Sequence, residues 1–313
     1  MRDSCAGLHH VTAICGHPQT NNAFYTDILG LRRVKKTVNF DAPETYHLYY
    51  GDDIGSPGSA LTFFPVVGAS PGVAGRGEPS NLSWAVMPGA LDYWRQRLAA
   101  IDGLTVVDEA RFDEARVTLT DPHGLSLALV EADWARPPNA NRRHPALAAE
   151  HALGPFHGVS VSVAAFEPTA RVLHNVFGFE AIATEGAITR FQASEGPGVG
   201  TIIDLCVVPE TPLARQGAGS IHHIAFRARD KAHQQRLSQR VADLGLSPTE
   251  VIDRQYFESV YFREPGGSLF EIATDAPGFT IDEPVETLGE ELKLPPQYES
   301  RRADIEAELP ALD

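Results

Sequence analysis

Two adjacent histidines stand inside the β-branched run LHHVTAI (residues 8 to 14), and the pair returns in IHHIAFR (221 to 227). Imidazole nitrogens bind metals and exchange protons near neutral pH. Successive side chains of a strand point to opposite faces, so each pair offers one histidine to either side. A third residue stands out for another reason: Glu271 lies in the apolar run SLFEIA, and a carboxylate in a buried strand is costly unless it is paired or bound to a cation. His10, His223 and Glu271 are the ligand types of a two-histidine, one-carboxylate facial site, which leaves coordination positions open and suits non-haem Fe(II). A single strand histidine is more often a packed or surface residue than a ligand, so these three act together only if the chain gathers them.

An internal repeat supplies the means. Residues 7 to 34, GLHHVTAICGHPQTNNAFYTDILGLRRV, lie over 155 to 182, PFHGVSVSVAAFEPTARVLHNVFGFEAI, at one ungapped offset, with His9 on His157, Val11 on Val159 and Gly30 on Gly178. Each copy reads as a strand, an amphipathic helix, a closing glycine and a second strand. Residues 81 to 131 and 220 to 274 follow the same plan, and DPHG (121 to 124) and EPGG (264 to 267) are the same late turn. The chain is therefore expected to be α+β, with four βαβββ units forming two open β-barrel-like modules. VVGASPGVAGRGEPS (66 to 80) separates the first two units. The expected boundaries are an N-terminal pair of units at 1–133, a linker at 134–154 containing WARPPNANRRHP, a C-terminal pair at 155–276, and an acidic tail at 277–313. The tail is expected to wrap the surface and end in a helix from about Glu299 to Leu309.

Register among the units sharpens the candidates. At the position of the second histidine the four units carry His10, Asn81, Gly158 and His223; on the last strand they carry Thr62, Ala128, Asp204 and Glu271. Only units one and four keep the histidine, and unit four adds Glu271; these two units are expected to share one cavity. Units two and three would form a degenerate twin.

With these residues in place the chain resembles the vicinal oxygen chelate superfamily, built from paired βαβββ units. More narrowly, KKTVNFDAPETYHLYYGD (35 to 52), LTFFP (61 to 65) and GFTIDEPVETLGEELKLPP (278 to 296) resemble the ring-cleaving dioxygenases that act on hydroquinones. The resemblance implies Fe(II), with Mn(II) as an alternative, held by His10, His223 and Glu271, and a small aromatic diol, hydroquinone or catechol, opened beside a hydroxyl with O2. It also implicates His9, Thr12, Arg254 and Tyr261 around the substrate. Tyr261 lies on the strand feeding the late turn and suits an acid or hydrogen-bond donor; Arg254 suits a phenolate or other anion. Thr12 shares the parity of His10 and is expected to face the cavity and touch substrate. His9 faces away by strict alternation, so a catalytic part for it needs a twisted strand. His222 reads as packing, and His47, Tyr49 and Asn39 receive no role. Two rivals stay open: a glyoxalase-type metal isomerase or lyase, which would want a second acid near His10 where Thr62 and Ala128 stand, and a non-catalytic binder of aromatic ligands on the same fold.

Composition narrows the partners. A formal net charge of −15 argues against nucleic acid and anionic membranes. No run of eighteen apolar residues occurs and the first strand begins without an apolar leader, so a soluble, cytoplasmic protein is expected. Three widely spaced cysteines, Cys5, Cys15 and Cys206, read as reduced and structural. Four units complete two modules in one chain, so the site needs no second copy, although exposed sheet edges leave a homo-oligomer open.

Overall fold

The computed structural model describes residues 4–135 and 147–312; from Arg136 to Ala146 the expected linker lies outside the described residues. Unit one comprises β1 (Leu8–Cys15), α1 (Pro18–Ala23) running into a π-helical turn (Phe24–Ile28), β2 (Arg32–Asn39), β3 (Ala42–Gly51) and β4 (Ala60–Pro65). Unit two comprises β5 (Glu78–Val86), α2 (Leu91–Ala99), β6 (Val106–Arg111), β7 (Glu114–Thr120) and β8 (Ser126–Glu131). Unit three has β9 (Phe156–Val163), α3 (Phe166–Asn175), β10 (Phe179–Glu185), β11 (Ile188–Ala193) and β12 (Ile202–Val207). Unit four has β13 (Ile221–Ala228), α4 (Lys231–Asp243), β14 (Ile252–Asp253), β15 (Glu258–Arg263) and β16 (Leu269–Thr274). The repeat is visible in local geometry: Gly30 and Gly178, aligned by sequence, both follow their helical segment with left-handed φ of 72° and 73°. A side chain would resist that conformation.

The strands form two eight-stranded sheets, ordered β14-β15-β16-β13-β1-β4-β3-β2 and β10-β11-β12-β9-β5-β8-β7-β6. Unit one therefore joins unit four through the antiparallel pair β1/β13, and unit two joins unit three through β5/β9. Sheet pairing crosses the chain rather than following it. The inferred register holds residue by residue: on the last strand, Thr62 sits beside Thr12, Ala128 beside Ser83, Asp204 beside Ser160 and Glu271 beside Ala225. The two modules meet in a continuous apolar core, where the Phe177 ring stacks on Phe226 of β13 at 3.8 Å.

Alternation explains which faces are covered. In α3 the buried residues Thr169, Ala170, Val172 and Leu173 form the stripe expected of a helix lying on a sheet. At the opposite extreme β10 buries only Phe179, as an edge strand with a solvated face does. The tail protects the other sheet's edge at β2: Lys293 N donates to Lys36 O at 2.9 Å and Arg33 Nε to Gly289 O at 2.9 Å. Lys35, fully buried, places its ammonium 2.6 Å from Asp282 and against Glu283. The expected final helix is a 3₁₀ turn, Pro296–Arg301, passing into α5, Arg302–Glu308.

Candidate metal centre and its cavity

Three adjacent strands, β16, β13 and β1, place the candidate ligands. Glu271 pairs with Ala225, which pairs with His10, and His223 lies two residues along β13 on the face of Ala225. A small side chain at 225 leaves the space into which the three larger ones converge. His10, His223 and Glu271 are all buried. His10 Nε2 and His223 Nε2 lie 3.2 Å and 3.0 Å from Glu271 Oε2, and 3.4 Å from each other. Two ligand atoms bound to one divalent ion at about 2.1 Å stand ~3.0 Å apart at right angles and ~3.4 Å apart in a tetrahedron. The observed triangle matches that spacing. Although Glu271 Oε2 is within ion-pair distance of both imidazoles, neither contact is aligned as a hydrogen bond, and the oxygen is buried without such a partner. A cation would satisfy it. Burial would raise the Glu271 carboxyl, but the imidazoles of His10 and His223 hold it well below the usual carboxylate range, so it stays an anion. This is the only such cluster of three among the described residues.

The outward atom of each candidate ligand is held as well. His10 Nδ1 lies 2.9 Å from His9 Nδ1, His223 Nδ1 lies 2.8 Å from His222 Nδ1, and Glu271 Oε1 accepts a hydrogen bond from the Ser259 hydroxyl. Partners of this kind fix tautomer and ring orientation for a metal-binding imidazole. Burial first, and then His10, lowers His9 to about 3; burial and then His223 lowers His222 to about 4. Both are therefore neutral at pH 7 and able to accept an Nδ1–H. The geometry of His9 comes from a bulge: Leu8 pairs with Phe226 and His10 with Ala225, so two residues of β1 oppose one of β13. Strict alternation fails there, which turns the His9 ring toward His10 and Phe257, 5.2 Å away.

Above the cluster opens a cavity of about 650 Å³, lined by His10 and His223 together with Arg254, Phe257, Tyr261, His47 and others. Arg254 Nε donates to the Tyr261 hydroxyl oxygen at 3.2 Å, and its NH1 pairs with Asp41 at 3.1 Å. The Tyr261 hydroxyl is pushed above its ordinary value by burial and then by Glu271. It therefore keeps its proton. Of the expected second set, Arg254 and Tyr261 line the cavity, whereas His9 lies behind His10. Thr12 needs correcting: it is fully buried, does not line the cavity, and its hydroxyl lies 2.7 Å from that of Thr62. Shared parity did not bring it to the cavity: it sits between Thr62 of β4 and His223 of β13, and its hydroxyl is bonded to Thr62. His222, read as packing, is a cavity wall. Sequence reasoning also passed over His47, Tyr49, Phe257 and Ser259. Ser259 and Tyr261 share a strand face by simple alternation, which was the available signal; His47 and Tyr49 share one in the same way on β3.

Among the described residues the twin module holds no comparable cluster. Asp204 is taken by Arg190, Nε at 2.8 Å and NH2 at 3.0 Å, while Arg116 NH2 donates to Asn81 at 3.1 Å. At Gly158, the counterpart of His10, an added Cβ would stand 2.3 Å from Ile202 O. Backbone, as well as side-chain identity, excludes a histidine there.

Paired βαβββ modules with one converging histidine–carboxylate cluster define the class: the chain belongs to the Glyoxalase/Bleomycin resistance protein/Dioxygenase superfamily, which residues 7–129 and 155–272 match. Relatives that match nearly the whole chain carry ring-cleaving dioxygenase names. The chain is 43% identical over 312 residues to MhqO of Bacillus subtilis (strain 168), provisionally named a ring-cleaving dioxygenase, covering 99% of this chain and 97% of that one. It is 33% identical to the chlorohydroquinone/hydroquinone 1,2-dioxygenase of Sphingobium indicum, covering 96% of this chain and 94% of the relative. A crystal structure of a provisionally assigned dioxygenase from Bacillus subtilis superposes with a TM-score of 0.94 at 42% identity, over 99% of this chain and 98% of that one. Glyoxalase I from Zea mays, 12% identical with a TM-score of 0.62 over 86% of this chain and 92% of its own, shares the fold. No described helix is long and apolar enough to cross a membrane.

Proposed function

We propose that the protein is a ring-cleaving dioxygenase that holds Fe(II) on His10, His223 and Glu271 and opens a hydroquinone with O2. The observation that carries this reading is the buried triangle of two imidazole nitrogens and one unpartnered carboxylate oxygen at the floor of an aromatic cavity. Bound there, the ion supplies positive charge that favours phenolate over phenol and a redox couple through which ring and O2 react. The protein's own residues do the remaining work. Phe257 and Phe64 offer apolar faces to the ring. Arg254 holds Tyr261 by its oxygen, so the phenol O–H is left to donate to an oxygen of the substrate or of the opening ring. Arg254 also places a positive charge beside that oxygen. His9, His222 and Ser259 keep the ligand atoms aimed inward. A carboxylate-rich ligand set of the isomerase type finds no support, since position 62 holds a threonine bonded to Thr12 and His47.

The test is anaerobic reconstitution with Fe(II), and in parallel with Mn(II), followed by oxygen-electrode recording as methylhydroquinone, chlorohydroquinone and catechol are added in turn. Stoichiometric O2 uptake with a ring-opened chromophore is expected with a hydroquinone. Absence of uptake from iron-loaded, folded protein would overturn the proposal, and faster uptake with Mn(II) would overturn the choice of metal.

A further inference from the structure

The cavity has a second polar wall that the reading above does not use. Tyr49 on β3 pairs across to Thr62 of β4, as Tyr261 on β15 pairs across to Glu271 of β16. Since Thr62 and Glu271 are equivalent positions of the duplicated unit, the two tyrosines are equivalent as well. Both line the one cavity, approached from its two halves. Their hydroxyls are held by different chemistry. Tyr261 rests on a guanidinium, whereas the Tyr49 hydroxyl lies 2.7 Å from His47 Nδ1. His47 Nε2 in turn lies 2.8 Å from the Thr62 hydroxyl, which lies 2.7 Å from that of Thr12. In unit four the serine two residues before the tyrosine serves the carboxylate; in unit one the histidine in that place serves the threonine. On its late strands, unit one thus anchors a phenol where unit four supplies a carboxylate to the cluster, although its first strand still supplies His10.

The contrast in support suggests a division of labour. A phenol backed by a guanidinium suits an oxygen that carries negative charge. A phenol backed by a neutral imidazole, which has one donor and one acceptor nitrogen, suits an uncharged hydroxyl. His47 lies with its ring 4.4 Å from Phe64 and 4.1 Å from Tyr49, so its orientation is fixed by packing on both sides. Phe279 of the tail, 5.0 Å from the Tyr49 ring, closes the back of the same wall.

We propose that Tyr49, held in place by His47, hydrogen-bonds the ring hydroxyl that does not bind the metal, and so makes the site select an aromatic diol over a monophenol. His47 is the positioning residue and Tyr49 the contact. The inference rests on the ring-cleavage reading for the identity of the ligand, and its test is read on binding so that the two separate. Hydroquinone, 4-methoxyphenol and phenol are titrated anaerobically into iron-loaded protein by calorimetry, for the wild type, Tyr49→Phe, His47→Ala and His47→Gln, with metal content measured on each sample. The wild type is expected to bind hydroquinone at least tenfold more tightly than phenol, with 4-methoxyphenol between them. Tyr49→Phe should bring hydroquinone and phenol within about twofold, leaving phenol affinity and iron content unchanged. His47→Ala should resemble Tyr49→Phe, and His47→Gln, which can still offer a hydrogen-bonding group to Tyr49, should recover part of the preference. A wild type without diol preference, or a Tyr49→Phe protein that keeps it, overturns the proposal. Preference that disappears as expected in a protein consuming no O2 upholds Tyr49 and sinks the dioxygenase reading instead.

Discussion

His9 does not line the cavity, yet it is expected to govern how tightly the metal is held. The perturbation is His9→Leu, which keeps the volume packed against Phe257, 5.2 Å from the native ring, and removes the nitrogen 2.9 Å from His10 Nδ1. If His10 gives its Nε2 lone pair to the ion, its Nδ1 must carry the proton, and in the variant that N–H is left in a site where His9 is only 3% exposed. An orphaned buried donor costs ~1–3 kcal/mol, and loss of an orienting partner lowers metal affinity roughly 10–100-fold. At ~1.4 kcal/mol per factor of ten the two figures agree. His222→Leu makes the same deletion at His223, but His222 is half-buried and borders the cavity, where water can replace the lost acceptor. Its loss should be smaller, at most about tenfold by the same reckoning. The assay is competition for Co(II) and for Fe(II) against a chromophoric chelator under nitrogen, with circular dichroism to establish folding. Affinity of His9→Leu within threefold of the wild type, or a larger loss in His222→Leu, would refute the orientation argument.

Other outcomes follow from the same geometry. Glu271→Ala should purify without tightly bound metal, and full occupancy in that variant would remove Glu271 from the ligand set. Tyr261→Phe should retain the metal while turnover falls at least about tenfold, within the usual range for a lost proton donor; unchanged turnover would end its part in the chemistry. Lys35→Met strands two carboxylates, of which Glu283 is almost wholly buried, while Asp282 keeps hydrogen bonds from Tyr256 (3.0 Å) and Gln255 (2.9 Å). Breaking a buried ion cluster costs ~3–5 kcal/mol, and the surviving bonds put this case near the lower figure. Urea denaturation should show that loss, with Glu283→Leu added to Lys35→Met recovering much of it; an unchanged midpoint in the single variant would contradict it. In the twin module burial pushes the Glu114 carboxyl up, but His157 at 3.2 Å and Arg190 more than reverse this and leave it below the ordinary glutamate value. A carboxyl depressed in the folded state stabilises above its unfolded value and loses that contribution as pH falls through the folded one. Glu114→Gln should therefore flatten the decline in stability below about pH 4.5, and a parallel decline would argue against it.

The convergence of the candidate cluster was legible because strand side chains repeat every two residues and the chain carries four copies of one plan. Register alone then singled out His10, His223 and Glu271, and it also placed Thr62, Ala128 and Asp204 where the sheets put them. Legibility ended where position depends on the third dimension. Thr12 has the parity of His10, but parity does not say which of two same-facing residues borders the cavity and which is bonded to the adjacent strand. The bulge that turns His9 arises from pairing with β13, two hundred residues away, and no local pattern announces it. His47 and Tyr49 sit in the run TYHLYY, where apolar and polar groups are too mixed for alternation to choose a face. Phe257 precedes β15 and reaches the site only because β14 and β15 lie at the end of a sheet begun by unit four.

The pairing of the first unit with the last has a bearing on how the protein is made. His10 is synthesised well before Glu271, so a growing chain cannot complete the candidate cluster until the strand ending at Thr274 has emerged. For most of that time β1 has β4 on one side and an open edge on the other, since its remaining partner is β13. An open edge invites association with other chains. Units two and three are consecutive and supply all eight strands of the other sheet, so that sheet can complete itself before β13 is made. Truncated translation products should accordingly be metal-free and prone to aggregate, without partial activity to betray them.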